Sequence, residues 1–252
     1  MNPSPRDLPP TMAERLIVAV DVPTIAQARA MIARLDGQVS FFKIGLHLAF
    51  AEGIDGLIAD LVRAGRKLFL DCKMYDIDLT VEEGIRRVAA RGVSFVTVHG
   101  EPRMLAAAVR GRGTSALKLF AVSVLTSLDD AALHEMGYSL SLPELVALRV
   151  RQTVASGCDG LIASAADNPD ALRRIGGNDR LLIATPGIRP AGTASPDQRR
   201  PATPAAAIAA GADYLVVGRP IVAAPDPAAA AAAIIAEMEA ARDDRRWHHT
   251  QV

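Results

Sequence analysis

Residues 67–92, KLFLDCKMYDIDLTVEEGIRRVAARG, open on the apolar run KLFLD, cross a short charged connection, and continue with apolar residues at helical spacing as far as Gly92. A continuous apolar run reads as a strand covered on both faces, and a terminal glycine is the usual stop of the helix that follows. The same strand-then-helix alternation recurs along the chain. LIVAV (16–20), FFKIG (41–45), SFVTVH (94–99), LKLFAVSVL (117–125), GLIAS (160–164), LLIAT (181–185) and YLVVG (214–218) are separated by segments such as TIAQARAMIARL and TPAAAIAAGA. Eight such runs in 252 residues predict an α/β fold of the (β/α)8 TIM-barrel type rather than an open doubly wound sheet. No Gly-x-Gly-x-x-Gly follows the first run, so the signature of a dinucleotide-binding sheet is missing.

The expected organisation is a flexible leader over residues 1–13, a single barrel domain over 14–245 and a tail over 246–252. The leader, beginning MNPSPRDLPPT, is proline-rich and has no apolar h-region, so it does not read as a signal peptide. The 28 basic and 28 acidic side chains cancel, with no basic patch or tail, which removes the electrostatic case for nucleic acid or an anionic membrane as partner. AAAAAAIIAEMEAAR (228–242) is too short and too acidic at its end to span a bilayer and reads as a closing helix. Cys72 and Cys158 show neither zinc-site nor disulfide spacing, and a reduced, cytoplasmic compartment is the simplest reading.

Barrel enzymes build their sites at the C-terminal ends of the strands. In this chain those ends carry Asp21, Lys43, Asp71 with Lys73, His99, Thr126 with Ser127, the TPGIRP turn containing Pro186 and Arg189, and Gly218 with Arg219. Plainer readings exist for several. Asp21 before Val-Pro suits a turn or helix start, His99 a structural histidine, and Thr126 and Ser127 the cap of a helix beginning near Asp129. Lys43 is harder to dismiss, because a lysine within FFKIG needs a polar site to face. The connection PGIRPAGTASPDQRR (186–200) is long and holds Arg189, Gln198, Arg199 and Arg200. With Arg219 it puts guanidinium and amide donors after strands seven and eight, where barrels commonly bind phosphate. A solvated arginine-rich loop is the alternative.

Within 67–80 the charges fall at Asp71, Lys73, Asp76 and Asp78. Side chains two apart on an extended segment point the same way, so Asp71 and Lys73 are expected to share one space above the barrel. A lysine among aspartates is favoured in its charged form, which suits it to give a proton or steady an anion rather than form a Schiff base. A structural salt-bridge network has the same appearance.

DCKMYDI resembles the Asp-x-Lys-x-x-Asp-Ile signature of the orotidine 5'-phosphate decarboxylase family. The resemblance extends in order through VAVDVP, FKIGL, VHG, LTS, TPGIRP, DQRR and VVGRPI. It implies decarboxylation of orotidine 5'-monophosphate to uridine 5'-monophosphate without metal or cofactor, in pyrimidine synthesis. By position it implies Lys73 as proton donor to C6 and Asp71 beside the substrate carboxyl, with Asp76 contributed from the neighbouring subunit and Lys43 completing the charged catalytic array. It further implies ribose contacts from Asp21 and Lys43, pyrimidine contacts from Thr126 and Ser127, and phosphate contacts from Gln198, Gly218 and Arg219 with Arg189 nearby. A homodimer is implied, with Asp76, Ile77 and Thr80 reaching the neighbouring site. Three positions depart from the pattern: Asp78 stands where proline is usual, Tyr75 where histidine or phenylalanine is frequent, and HGEP follows the fourth strand. The rival readings are a magnesium-dependent sugar-phosphate decarboxylase or aldolase of the same barrel group, and a catalytically silent phosphate-binding barrel.

Overall fold

In the computed structural model, which describes residues 6–191 and 202–250, the strand–helix unit repeats around a ring. The order is β1 (Leu16–Ala19), α1 (Ile25–Arg34), β2 (Phe41–Gly45), α2 (Leu46–Ala49), α3 (Ile54–Arg63), β3 (Lys67–Met74), α4 (Asp78–Ala90), β4 (Phe95–His99) and α5 (Pro102–Arg112). It continues with β5 (Lys118–Val122), α6 (Asp130–Glu135), α7 (Leu142–Ser156), β6 (Gly160–Ile162), α8 (Pro169–Gly176), β7 (Leu182–Thr185), α9 (Pro204–Ala209), β8 (Tyr214–Val217), α10 (Arg219–Val222) and α11 (Pro227–Thr250). Neighbouring strands are parallel throughout and β8 pairs with β1, so the sheet closes into a barrel in sequence order. Every apolar run named above corresponds to a strand, and β3 continues past its apolar run to Met74.

Strand alternation sorts the side chains into two cores. Phe42 and Ile44 of β2 face the helices, whereas Phe41 belongs to a separate cluster on the barrel axis with Phe69, Phe95, Phe120 and Tyr214. Phe95 meets Phe41 and Tyr214 edge-on, with centroids 4.8 Å and 5.2 Å away, and Phe120 at a tilt. Each buried aromatic contributes about 1.5–3 kcal/mol. Gly160 makes room for this plug, since a Cβ there would lie 2.4 Å from the Phe120 ring. Further toward the C-terminal ends, the inward positions change from aromatic to polar: Lys43, Asp71 and Thr97. The plug is the floor of that polar layer.

The opposite, N-terminal end is closed by residues counted with the leader on composition. Met12 is fully buried, Leu8 packs on the axial cluster, and Arg6 pairs with the buried Asp213. Residues 6–13 are therefore docked on the barrel, because the two apolar side chains and one arginine find partners there. Helix α11 runs to Thr250, past the boundary placed at residue 245. Among the described residues, no helix is long and apolar enough to cross a membrane.

Candidate active site

Four charges form an unbroken chain at the mouth of β1–β3. Lys43, almost wholly buried, holds its Nζ 3.2 Å from Asp21 Oδ1 and 3.4 Å from Asp71 Oδ2, and Lys73 Nζ lies 2.8 Å from Asp71 Oδ1. Gly45 allows the Asp21 end to close in, for a Cβ at that position would come within 2.8 Å of Asp21 Oδ1. Burial alone would raise the pKa of the Asp71 carboxyl. The charges of Lys43 and Lys73, with hydrogen bonds from Lys73 and Thr97, outweigh it and hold the carboxyl below its ordinary value. The side chain of Asp71 is 15% exposed and that of Lys73 38%, so the aspartate is enclosed while the lysine side chain stays partly open.

Asp71 and Lys73 do meet in one space, but simple extended alternation is not how they get there. The β3–β4 register jumps from Leu70 opposite Val96 to Met74 opposite Val98, so β3 has a bulge containing Asp71, Cys72 and Lys73. Lys73 sits at φ 46°, in the left-handed region. Among the described residues the only other non-glycine with positive φ is Asn168, a residue type that enters this region readily. For lysine the conformation costs about 1–3 kcal/mol, which surrounding contacts must supply. Thr97, fully buried on β4, supplies two of them: its Oγ1 accepts from the Lys73 N–H at 2.9 Å and donates to Asp71 Oδ1 at 2.9 Å. The motif reading missed Thr97. Its signal was parity, since Phe95, Thr97 and His99 share the inward face of FVTVH.

A cavity of about 130 Å³ joins Lys43, Asp71 and Lys73 to Thr126 and Pro186. Ser127 is exposed and does not line it. A larger cavity, of about 480 Å³, lies at the other end of the barrel against Lys67, Lys118 and Tyr214, away from the charged chain. After β7, Ile188 bridges to Ala202 and the Arg189 N–H donates to Ala202 O at 2.8 Å, closing the base of the long connection. Burial lowers the pKa of the Arg189 guanidinium, and the charge of Arg219 lowers it further. Gly218 immediately precedes Arg219, the first residue of α10. Gln198, Arg199 and Arg200 lie outside the described residues.

Asp76 does not join the array in its own chain. Its carboxylate accepts from the Ile77 N–H at 2.6 Å, in an exposed segment where Tyr75, Ile77 and Leu79 are 66%, 70% and 75% accessible. Thr80 is exposed on the first turns of α4. Asp78 pairs with Arg103 at 3.1 Å. His99 packs its ring against Tyr75 and pairs through Nδ1 with Glu101 at 2.5 Å, while Glu101 also takes the buried Arg149 at 2.5 Å. Glu101 and Arg149, like Thr97, were not singled out by motif.

A closed parallel barrel with alternating cations and carboxylates at its C-terminal mouth is an α/β-barrel enzyme site, suited to chemistry in which negative charge builds up on a bound molecule. The chain belongs to the orotidine 5'-phosphate decarboxylase / HUMPS family, whose model matches residues 14–234. The orotidine 5'-phosphate decarboxylase of Afipia carboxidovorans is 53% identical to it over 233 residues, covering 92% of this chain and 98% of that protein. That of Rhodopseudomonas palustris strain HaA2 is 51% identical with the same coverage of 92% and 98%. The crystal structure of orotidine 5'-phosphate decarboxylase from Lactobacillus acidophilus superposes with a TM-score of 0.78 at 37% identity, covering 89% of this chain and 99% of that one. These relatives are carboxy-lyases.

Proposed function

We propose that the protein decarboxylates orotidine 5'-monophosphate to uridine 5'-monophosphate, with Lys73 as the proton donor. The observation that carries this reading is the Asp21–Lys43–Asp71–Lys73 chain, in which a lysine pinned to one carboxylate still faces a cavity. The bond from C6 to the carboxylate breaks, its electron pair stays on C6, carbon dioxide leaves, and the Lys73 ammonium gives C6 a proton. The pair on C6 has no conjugated sink, so a cation already in place is what lowers the barrier. Asp71 orients that cation and lies beside the departing carboxylate.

The remaining assignments rest on the resemblance of the strand-end motifs to the family, and Lys43, Thr126 and Pro186 line the cavity. Asp21 and Lys43 contact the ribose, Thr126 and Ser127 the pyrimidine with Pro186 as an apolar wall, and Arg189, Gln198, Gly218 and Arg219 the phosphate. The positions of Arg189 after β7 and Arg219 after β8 support the last of these, since paired guanidiniums favour a dianion. Asp76, Ile77 and Thr80 serve the site of a second copy. Their exposure, with Asp76 and Thr80 lining one surface hollow alongside the exposed Phe50 and Leu46, supports a homodimer built on this face.

The test is turnover of orotidine 5'-monophosphate by purified protein, followed as loss of orotate-type absorbance with a chelator present. Turnover that survives chelation is expected. None at saturating substrate overturns the reading, and turnover abolished by chelator favours the magnesium-dependent alternative.

A further inference from the structure

We infer that Thr97 is a positioning residue for the reaction: one buried hydroxyl sets both the backbone of Lys73 and the carboxylate of Asp71, and so fixes where the ammonium points. The inference rests on the reading of Lys73 as proton donor and adds a residue to it.

The bulge in β3 takes the Lys73 amide out of the β3–β4 ladder, which resumes only at Met74 opposite Val98. A buried N–H without a partner is costly, and the one it finds is the side chain of Thr97. That bond holds a left-handed lysine in a conformation it would otherwise leave. The hydroxyl has one proton to give, and it gives it to Asp71 Oδ1, the same oxygen that receives Lys73 Nζ. The hydroxyl thus accepts from one member of the pair and donates to the other. Its side chain makes no other hydrogen bond, and Thr97 has no exposed surface. Threonine suits the position because its hydroxyl serves both partners while its methyl fills space in a packed strand. Valine keeps the shape and loses both bonds, whereas serine keeps both bonds and loses only the methyl.

Comparison of wild type, Thr97→Val and Thr97→Ser decides the matter. Thr97→Val should lower kcat about tenfold to a hundredfold, the usual effect of removing a hydrogen bond to a charged group, with KM changed less than about twofold. Thr97→Ser should recover most of the loss. A packing defect would instead follow the methyl and leave serine the worse variant. Two readouts are independent of turnover. NMR titration should show the Asp71 carboxyl pKa rising in Thr97→Val, because a bond to its charged form is gone, and amide exchange at Lys73 should become faster. Both should stay near wild type in Thr97→Ser. Unchanged Asp71 titration and Lys73 exchange in a folded Thr97→Val protein would overturn the inference, as would full kcat in an active enzyme. If wild type proves inert toward orotidine 5'-monophosphate, the functional reading falls on that assay while the two NMR measurements still decide whether Thr97 sets the pair.

Discussion

At the N-terminal end of the barrel, Asp213 is completely buried and surrounded by protein donors. It takes Arg173 Nη2 and the Ile183 N–H, and Arg6 lies 2.9 Å away, close enough for an ion pair though not aligned as a hydrogen bond. Arg173 is itself consumed by Leu181 O, Gly211 O and Asp170. At the C-terminal end, Asp71 is also enclosed and also flanked by cations, but the Lys73 side chain is more than a third exposed and lines a cavity, and its backbone is held in a strained conformation. The hydrogen bonds of the Asp213 cluster all go to the fold. The other holds a donor in reserve toward a cavity, and reserve of this kind distinguishes a chemical site from a structural ion network with similar composition.

Substitution at each end should break this contrast in opposite ways. Lys73→Ala is expected to lower kcat at least about a thousandfold, the combined worth of a positioned acid and a preorganised charge, with little change in thermal stability. Single-turnover assay and calorimetry on the same sample check both halves, and near-normal turnover would remove Lys73 from the chemistry. Asp213→Asn should do the reverse. Removing one partner from a buried ion network costs about 3–5 kcal/mol, which in a chain of this size lowers Tm by about 2–4 °C per kcal/mol. At temperatures where the variant is folded, kcat should stay within about twofold of wild type. An unshifted Tm would show that Arg173 and Arg6 are not held through Asp213.

The barrel was legible because parallel strands buried on both faces leave apolar runs, and the intervening helices carry their own period. The site was legible where chemistry sits at strand ends in fixed order, as with Asp21, Lys43 and Asp71. What stayed hidden depends on register. Thr97 looks like an ordinary strand residue until the bulge after Leu70 brings the Lys73 amide to it. Nothing in the composition of KLFLDCKM marks that bulge, for the usual cue, a glycine at the left-handed position, is replaced by Lys73 itself. The docking of residues 6–13 was hidden for a related reason: proline-rich composition suggests a free leader, whereas Met12, Leu8 and Arg6 act through contacts with residues up to 207 positions away (Arg6 to Asp213). Asp78 became interpretable only as the partner of Arg103.

The smallest expected effect sharpens the contrast within the C-terminal mouth itself. Arg219 follows β8 and is no member of the Asp21–Lys43–Asp71–Lys73 chain, so its substitution should act on binding first. Arg219→Ala is expected to raise KM about tenfold to a hundredfold, the range for a lost hydrogen bond to a charged oxygen, with a smaller fall in kcat. The shortfall in kcat measures how far phosphate binding helps to organise the reacting end, since binding energy realised away from the reacting atoms can be used to order the site. Steady-state kinetics with orotidine 5'-monophosphate and with the unphosphorylated nucleoside separate the two contributions. If Arg219→Ala weakens the nucleoside as much as the nucleotide, the guanidinium is serving the barrel rather than the phosphate, and the second cation pair belongs with Asp213 on the structural side of the comparison.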